Sequence, residues 1–187
     1  MRADLADAAA WEATLGSLAE AEPIDVLVNA AGVSDDALCI DVGIDSFEHQ
    51  YRLNVTAPWL AMRVLGREMA YHRRGRIINV ASIAASVNSP GRSVYASTKA
   101  AIVSLTKSFA VELGCFGIRV NAVAPGFVET PMIADFDEKM RRNFTERVPL
   151  GRFATAEEVA GVVRFLASEQ AEFLHGTVIP VDGGTSA

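Results

Sequence analysis

Residues 118–126 read IRVNAVAPG, and this stretch decides the fold. It is short, rich in Val, apolar on both parities and closed by a Pro-Gly pair. That pattern belongs to a strand buried on both faces rather than one with a wet side. Three more runs of the same kind flank it: Ile24–Asn29 (IDVLVN), Arg76–Ala81 (RIINVA) and Thr177–Val181 (TVIPV). Between them the apolar spacing becomes helical, with helices expected over 5–21, 46–71, 94–114, 136–147 and 155–168. Thr155 with Glu158 is a capping box opening the last helix, and Gly114 and Gly117 stop the third. Crossovers this long imply parallel pairing and right-handed connections. The expected fold class is α/β, a doubly wound parallel sheet, in a single domain over residues 1–187.

Composition narrows the function. With 187 residues, 50% hydrophobic and 21% charged, the chain has the core of a folded domain and is too apolar for disorder. A net charge of −6 argues against nucleic-acid and anionic-membrane binding, because both need a basic footprint. No apolar run approaches the roughly 18 residues of a membrane span, and the opening MRADLADAAAW lacks the form of a signal peptide. Cys39 and Cys115 have no metal-ligand spacing and read as reduced thiols of a cytoplasmic protein. His49, His72 and His175 likewise show no metal pattern. No GxSxG, HExxH or Walker sequence supports hydrolytic, zincin or NTPase chemistry.

In sheets of this kind ligands bind beyond the carboxyl ends of the strands. The residues that follow the strands are Asn29-Ala30-Ala31-Gly32, Ser82 and Pro125-Gly126, small or polar groups on one rim. Tyr95 and Lys99 lie four apart near the start of the third helix, hence on one helix face. An ammonium beside a phenol favours the phenolate, so the pair can serve as a general acid–base device. The same spacing also suits a surface Tyr beside a solvated Lys. Ser82, thirteen residues before Tyr95 on that rim, can donate to a substrate oxygen or simply cap a turn. Asn54 is the polar intruder in the apolar stripe Phe47, Tyr51, Pro58, Ala61, Leu65. Pro58 has no N–H, so the carbonyl of residue 54 loses its helical partner. Either an ordered water replaces that donor and links Lys99 to solvent, or the helix kinks and Asn54 caps a neighbouring loop.

With these residues assembled, the chain resembles the short-chain dehydrogenase/reductase family, classical type. The resemblance is carried by NAAG at 29–32, Asn54 in LNVTA, Ser82 in NVASI, YASTK at 95–99, IRVNAVAPGFVET at 118–130 and DGG at 182–184. The tail PLGRFATAEEVAGVVRFLAS is similar to that of 3-oxoacyl-[acyl-carrier-protein] reductases. It implies an enzyme that moves hydride between NAD or NADP and a small carbonyl or secondary alcohol, such as a 3-oxoacyl thioester. Tyr95 would be the acid–base, Lys99 would lower its pKa and hold the nicotinamide ribose, Ser82 would orient the carbonyl, and Asn54 would keep a relay water. Asp4 and Leu5 would contact the adenine, and Asn29, Ala30, Ala31 and Gly32 would line the adenosine side. Pro125, Gly126, Val128 and Thr130 would hold the nicotinamide. No metal is implied. Residues 127–150, with Met132, Phe136, Met140 and Phe144 beside Arg141 and Arg142, would form the substrate loop. The implied partners are the small-molecule substrate and further copies of the chain, as a dimer or tetramer through helices 46–71 and 94–114.

The chain departs from the family at its front. Members open with a strand, a Gly-rich TGxxxGxG turn, a helix and a second strand, whereas no Gly-rich loop precedes residue 16 here. That turn is where a pyrophosphate rests. The expectation is a truncated sequence lacking the first βαβ unit, roughly 55–60 residues by the size of such units, with Met1-Arg2-Ala3-Asp4 the tail of a third strand. The strand at 24–29 would then have a bare flank. The alternative is a non-catalytic remnant that only associates with full-length subunits.

Overall fold

The computed structural model describes residues 3–133 and 137–187. Those residues form one parallel sheet of four strands, β1 (Val26–Asn29), β2 (Gly75–Val80), β3 (Ile118–Pro125) and β4 (Val178–Val181), in the order β1-β2-β3-β4. Register is set pair by pair, with Val28 opposite Ile78, Ile78 opposite Asn121, and Ala124 opposite Pro180. The helices are α1 (Ala8–Ala21), α2 (Ile44–Tyr51), α3 (Ala57–His72), α4 (Ser93–Leu113), α5 (Glu138–Thr145) and α6 (Ala156–Leu166). Among the described residues no helix is long and apolar enough to cross a membrane.

The sheet is covered on both sides, as the strand composition requires. On one face Ile77, Ile118 and Val120 pack against Met62 and Met69 of α3 and Ala110 of α4, while Leu15 of α1 closes on Leu60, Ala61 and Leu65. On the other, Ile78 and Val123 pack against Leu166 of α6. The alternation is the period of two of a strand, with odd residues of β2 on one side and even residues on the other. β1 departs from the expected burial on both faces. It pairs only with β2, and Val26 and Val28 are 37% and 42% exposed because no described element covers them.

Helix ends follow their capping residues. Asp7 accepts from Ala9 N and Ala10 N at the head of α1, which therefore starts three residues later than its apolar spacing suggested. Asp137 does the same for α5, whose expected first residue, Phe136, lies outside the described residues. Thr155 and Glu158 form the expected capping box. Gly117, at φ 79°, sits where a Cβ would meet the Arg73 carbonyl at 2.8 Å, which requires a glycine between α4 and β3.

The stretch expected as one helix over 46–71 is α2 and α3 joined by a π-helical turn at Arg52–Thr56. There Ala57 N donates to the Arg52 carbonyl five residues back. The physical cause is Pro58, which lacks the N–H for an ordinary i to i−4 bond. The turn widens instead of breaking, and it carries Asn54 inward.

Candidate active site

The parallel order places the ends of β1, β2 and β3 side by side, and a cavity of about 210 Å³ opens there. Ala30, Gly32, Ser82, Tyr95, Lys99, Pro125, Gly126, Val128 and Thr130 all line it. A larger depression of about 840 Å³ lies at the opposite ends of β2 and β3. Its lining includes Arg74 paired with Asp25, and Arg119 engaged by three carbonyls of the α6 exit, so its chemistry is structural.

Ser82 leaves β2 in extended conformation; its Oγ accepts from Ala84 N at 3.1 Å and reaches the Pro125 carbonyl at 3.5 Å. It therefore caps a turn and also borders the cavity. Lys99 and Tyr95 share a face of α4, with Lys99 Nζ 5.6 Å from the Tyr95 ring centre. Lys99 is only 5% exposed, and its ammonium donates to the Val80 carbonyl at 2.9 Å. Burial draws its pKa down to about 8. Burial pushes the Tyr95 phenol up, while hydrogen bonding to Ser82 and the charge of Arg92 pull it down and Asp36 pushes it up. The sequence suggested a phenol lowered by its lysine. In the folded protein desolvation is the largest cause for both groups.

Asn54 is buried and fully engaged. Its Oδ1 accepts from Val33 N at 2.8 Å, and its Nδ2 donates to the Val33 carbonyl at 2.8 Å and to Thr98 Oγ1 at 3.1 Å. The side chain thus pins the loop after β1 to α4, so its amide caps a neighbouring loop. Gly32 makes this approach possible: a Cβ there would lie 3.1 Å from Asn54 Oδ1 and 3.4 Å from Lys99 Nζ.

Along the same rim, Leu5, Trp11, Asn29, Ala30, Ala31 and Leu53 border a second cavity of about 160 Å³. Asp4 is not part of this lining; its carboxylate accepts from Ala6 N at 2.9 Å. The Asn29 side chain turns into the protein, where its Nδ2 donates to Asn79 Oδ1 at 2.8 Å. Asn79 continues the chain to Thr106 Oγ1 at 2.9 Å. Beyond β3, Phe127 stacks on Phe153 at 5.3 Å between ring centres and meets Phe144 in a tilted pair at 4.6 Å, and Ile133 and Val148 complete that apolar cluster. Arg141 holds Glu129 through contacts of 2.9 and 3.1 Å, tying α5 to the segment after Gly126. Among the described residues no cluster of His, Cys, Asp or Glu could hold a metal.

The residues fit a dinucleotide along part of its length. Lys99 is a buried cation with one protein acceptor at the rim, which leaves donors for ribose hydroxyls, and small residues on the two loops admit close backbone approach. None of the chain's turns is a glycine-rich phosphate cradle. Sequence reasoning missed Thr98, Arg92 and Asp36. Thr98 lies four residues from Ile102 on the inward face of α4, and Arg92 lies one turn ahead of Tyr95, so helical spacing was the available signal.

Over residues 1–186 the chain matches a family model described as enoyl-(acyl carrier protein) reductase. It is 42% identical over 161 residues to the 3-oxoacyl-[acyl-carrier-protein] reductase FabG of Thermotoga maritima, covering 86% of this chain and 65% of that protein. It is 37% identical over 172 residues to nodulation protein G of Rhizobium meliloti, covering 91% and 70%. Solved structures align as well. A Beutenbergia cavernae protein assigned as an NAD(P)-dependent gluconate 5-dehydrogenase, holding NADP at low occupancy, superposes with TM-score 0.96 at 37% identity over 98% of this chain and 74% of its own. The gluconate 5-dehydrogenase of Burkholderia cenocepacia, in complex with NADP and tartrate, gives 0.94 at 31% identity over 98% and 73%. The chain thus spans less than two thirds of the length of the Thermotoga protein, 65%. With a family model matching residues 1–186 and relatives above 40% identity, the chain belongs to the short-chain dehydrogenase/reductase family.

Proposed function

We propose that this chain carries the reacting end of an NAD- or NADP-dependent oxidoreductase acting on a small carbonyl or secondary alcohol. The observation that supports the reading is the convergence of Ser82, Tyr95 and Lys99 on one rim cavity, from a strand end and the adjoining helix. A bound nicotinamide would supply or accept the hydride. Everything else falls to the chain. Ser82 Oγ donates to the carbonyl oxygen on which charge develops, and the Tyr95 hydroxyl delivers the proton to it. Lys99 offsets the charge left on the phenolate and offers its remaining N–H groups to the ribose. The carbonyl of Asn54, in the π turn made by Pro58, is the acceptor for a water that resupplies protons through Lys99. Pro125, Gly126, Val128 and Thr130 would flank the nicotinamide, and Leu5, Trp11 and Leu53 the adenine, with Asp4 beside it. Phe127, Phe144 and Phe153 anchor the substrate loop. Copies of the chain would associate through α3 and α4, where Trp59, Tyr71 and Val111 are exposed. The exposed free thiols of Cys39 and Cys115 suit the cytoplasm.

The test is Tyr95→Phe, assayed at 340 nm with acetoacetyl thioester and NADPH and with d-gluconate and NADP. Turnover is expected to vanish while the nucleotide Kd, read by fluorescence, stays within about threefold. Near-normal turnover in the variant overturns the assignment. A second reading is a non-catalytic subunit, and failure to bind either nucleotide would select it.

A further inference from the structure

We propose that Arg92 is a substrate-recognition residue, and that the compound handled at this rim carries a carboxylate a few carbon atoms from its reacting carbon. The inference rests on the oxidoreductase reading above. Arg92 caps the start of α4 and lines the same cavity as Ser82, Tyr95 and Lys99. Its guanidinium carbon stands 5.9 Å from the centre of the Tyr95 ring, so a group it holds lies beside the proton donor.

The side chain is held in place. Its Nε donates to Asp36 Oδ2 at 3.1 Å, and Asp36 Oδ1 accepts from Ser34 Oγ at 2.7 Å. Only 21% of the Arg92 side chain is exposed. Among the described residues nothing accepts from Nη1 or Nη2. A guanidinium has five N–H donors in a planar fork; Nε uses one, and the four on the terminal nitrogens remain. These nitrogens reach solvent at the cavity, and a ligand that supplies two oxygens replaces that water with charge-assisted hydrogen bonds. The spacing of the two terminal nitrogens matches the two oxygens of a carboxylate.

The surroundings favour an anion. The described lining of the cavity holds two cations, Arg92 and Lys99, and no carboxylate; Asp36 stands outside it. Lys99 donates to the Val80 carbonyl and, in the reading above, to the nucleotide ribose, which leaves Arg92 as the cation for the far end of a substrate. A neutral thioester would accept from one of those donors, where a carboxylate accepts from two at once.

The experiment compares a carboxylate probe with a neutral one on the same chain. Substrate turnover is measured with d-gluconate and with an uncharged secondary alcohol, 2-butanol, for wild type, Arg92→Ala, Arg92→Lys and Asp36→Asn. Arg92→Ala should lower the gluconate-to-butanol ratio of kcat/KM by about tenfold to a hundredfold, the range for losing charge-assisted hydrogen bonds, through KM rather than kcat. Arg92→Lys should recover part of it. An unchanged ratio overturns the proposal, because an effect of Arg92 on Tyr95 alone would scale both substrates together. A second readout needs no turnover: with nucleotide present, d-tartrate should raise the melting temperature of wild type and of Tyr95→Phe more than erythritol does, and fail to do so for Arg92→Ala. Loss of turnover in wild type together with retained tartrate stabilisation would sink the oxidoreductase reading and keep the carboxylate site. Equal response to tartrate and erythritol in wild type would sink the carboxylate site whatever the turnover.

Discussion

Replacing Lys99 with Met should make this protein more stable at neutral pH. The Lys99 ammonium has only the Val80 carbonyl as a described partner, and burial draws its pKa down to about 8 from an ordinary value of 10.5. The sign follows from proton counting. Between pH 8 and 10.5 the unfolded state holds the proton more tightly than the native state, so stability rises with pH across that window. The penalty is present in full below pH 8 and has vanished by about pH 10.5. At about 1.4 kcal/mol per pH unit it is about 3 kcal/mol in full. Lys99→Met removes it but strands the Val80 carbonyl, a loss of about 1 kcal/mol. The net expectation at pH 7 is a variant about 2 kcal/mol more stable than wild type, and inactive. Urea unfolding of both proteins at pH 7, 8, 9 and 10, without nucleotide, is the assay. Because every other titrating group is shared, the difference between the curves isolates Lys99. It should shrink steadily above pH 8 and turn slightly in favour of wild type near pH 10.5. A difference that stays flat across this range, or a wild type more stable at pH 7, refutes the reasoning.

Other substitutions test the scaffold beneath the site. Gly32→Ala should weaken nucleotide binding and cost about 1 kcal/mol, since the new Cβ would press Asn54 Oδ1 at 3.1 Å and that amide is fixed by Val33 and cannot easily give; an unaltered nucleotide Kd would show that the close approach is unimportant. Arg119→Met should cost about 3 kcal/mol in urea unfolding, because the guanidinium donates to the carbonyls of Leu166, Ala171 and Ser168 at 3.0, 2.8 and 2.9 Å, and all three lose their donor together. A loss below about 1 kcal/mol would mean that water replaces it at no cost.

Much of this protein is legible one residue at a time. The strand IRVNAVAP is apolar on both parities, and every residue of β3 but Arg119 is buried. Thr155 and Glu158 cap α6 because that contact spans only three residues. Pro58 foretold a local failure of helical bonding, and the π turn is its form. Elsewhere local reasoning misled. Asn29, at the end of β1, borders the rim cavity as its position suggests, yet its side chain turns inward to Asn79, a partner fifty residues away that no local pattern names. Val26 and Val28 have the composition of buried residues and are half-exposed, since burial depends on what packs against a face and not on the face alone.

The sequence by itself determined the periods of two and 3.6, the caps, and the residue types that make Ser82, Tyr95 and Lys99 a plausible proton-transfer set. Only the tertiary structure decided which of them meet and in what medium. Desolvation is a property of all the neighbours at once, so the opposed shifts of Tyr95 and Lys99 appear only once α4 lies against the ends of β2 and β3. Arg92 shows the same limit. Its place one turn before Tyr95 is written in the chain, but its anchoring by Asp36, fifty-six residues earlier, exists only where the loop after β1 folds back against α4.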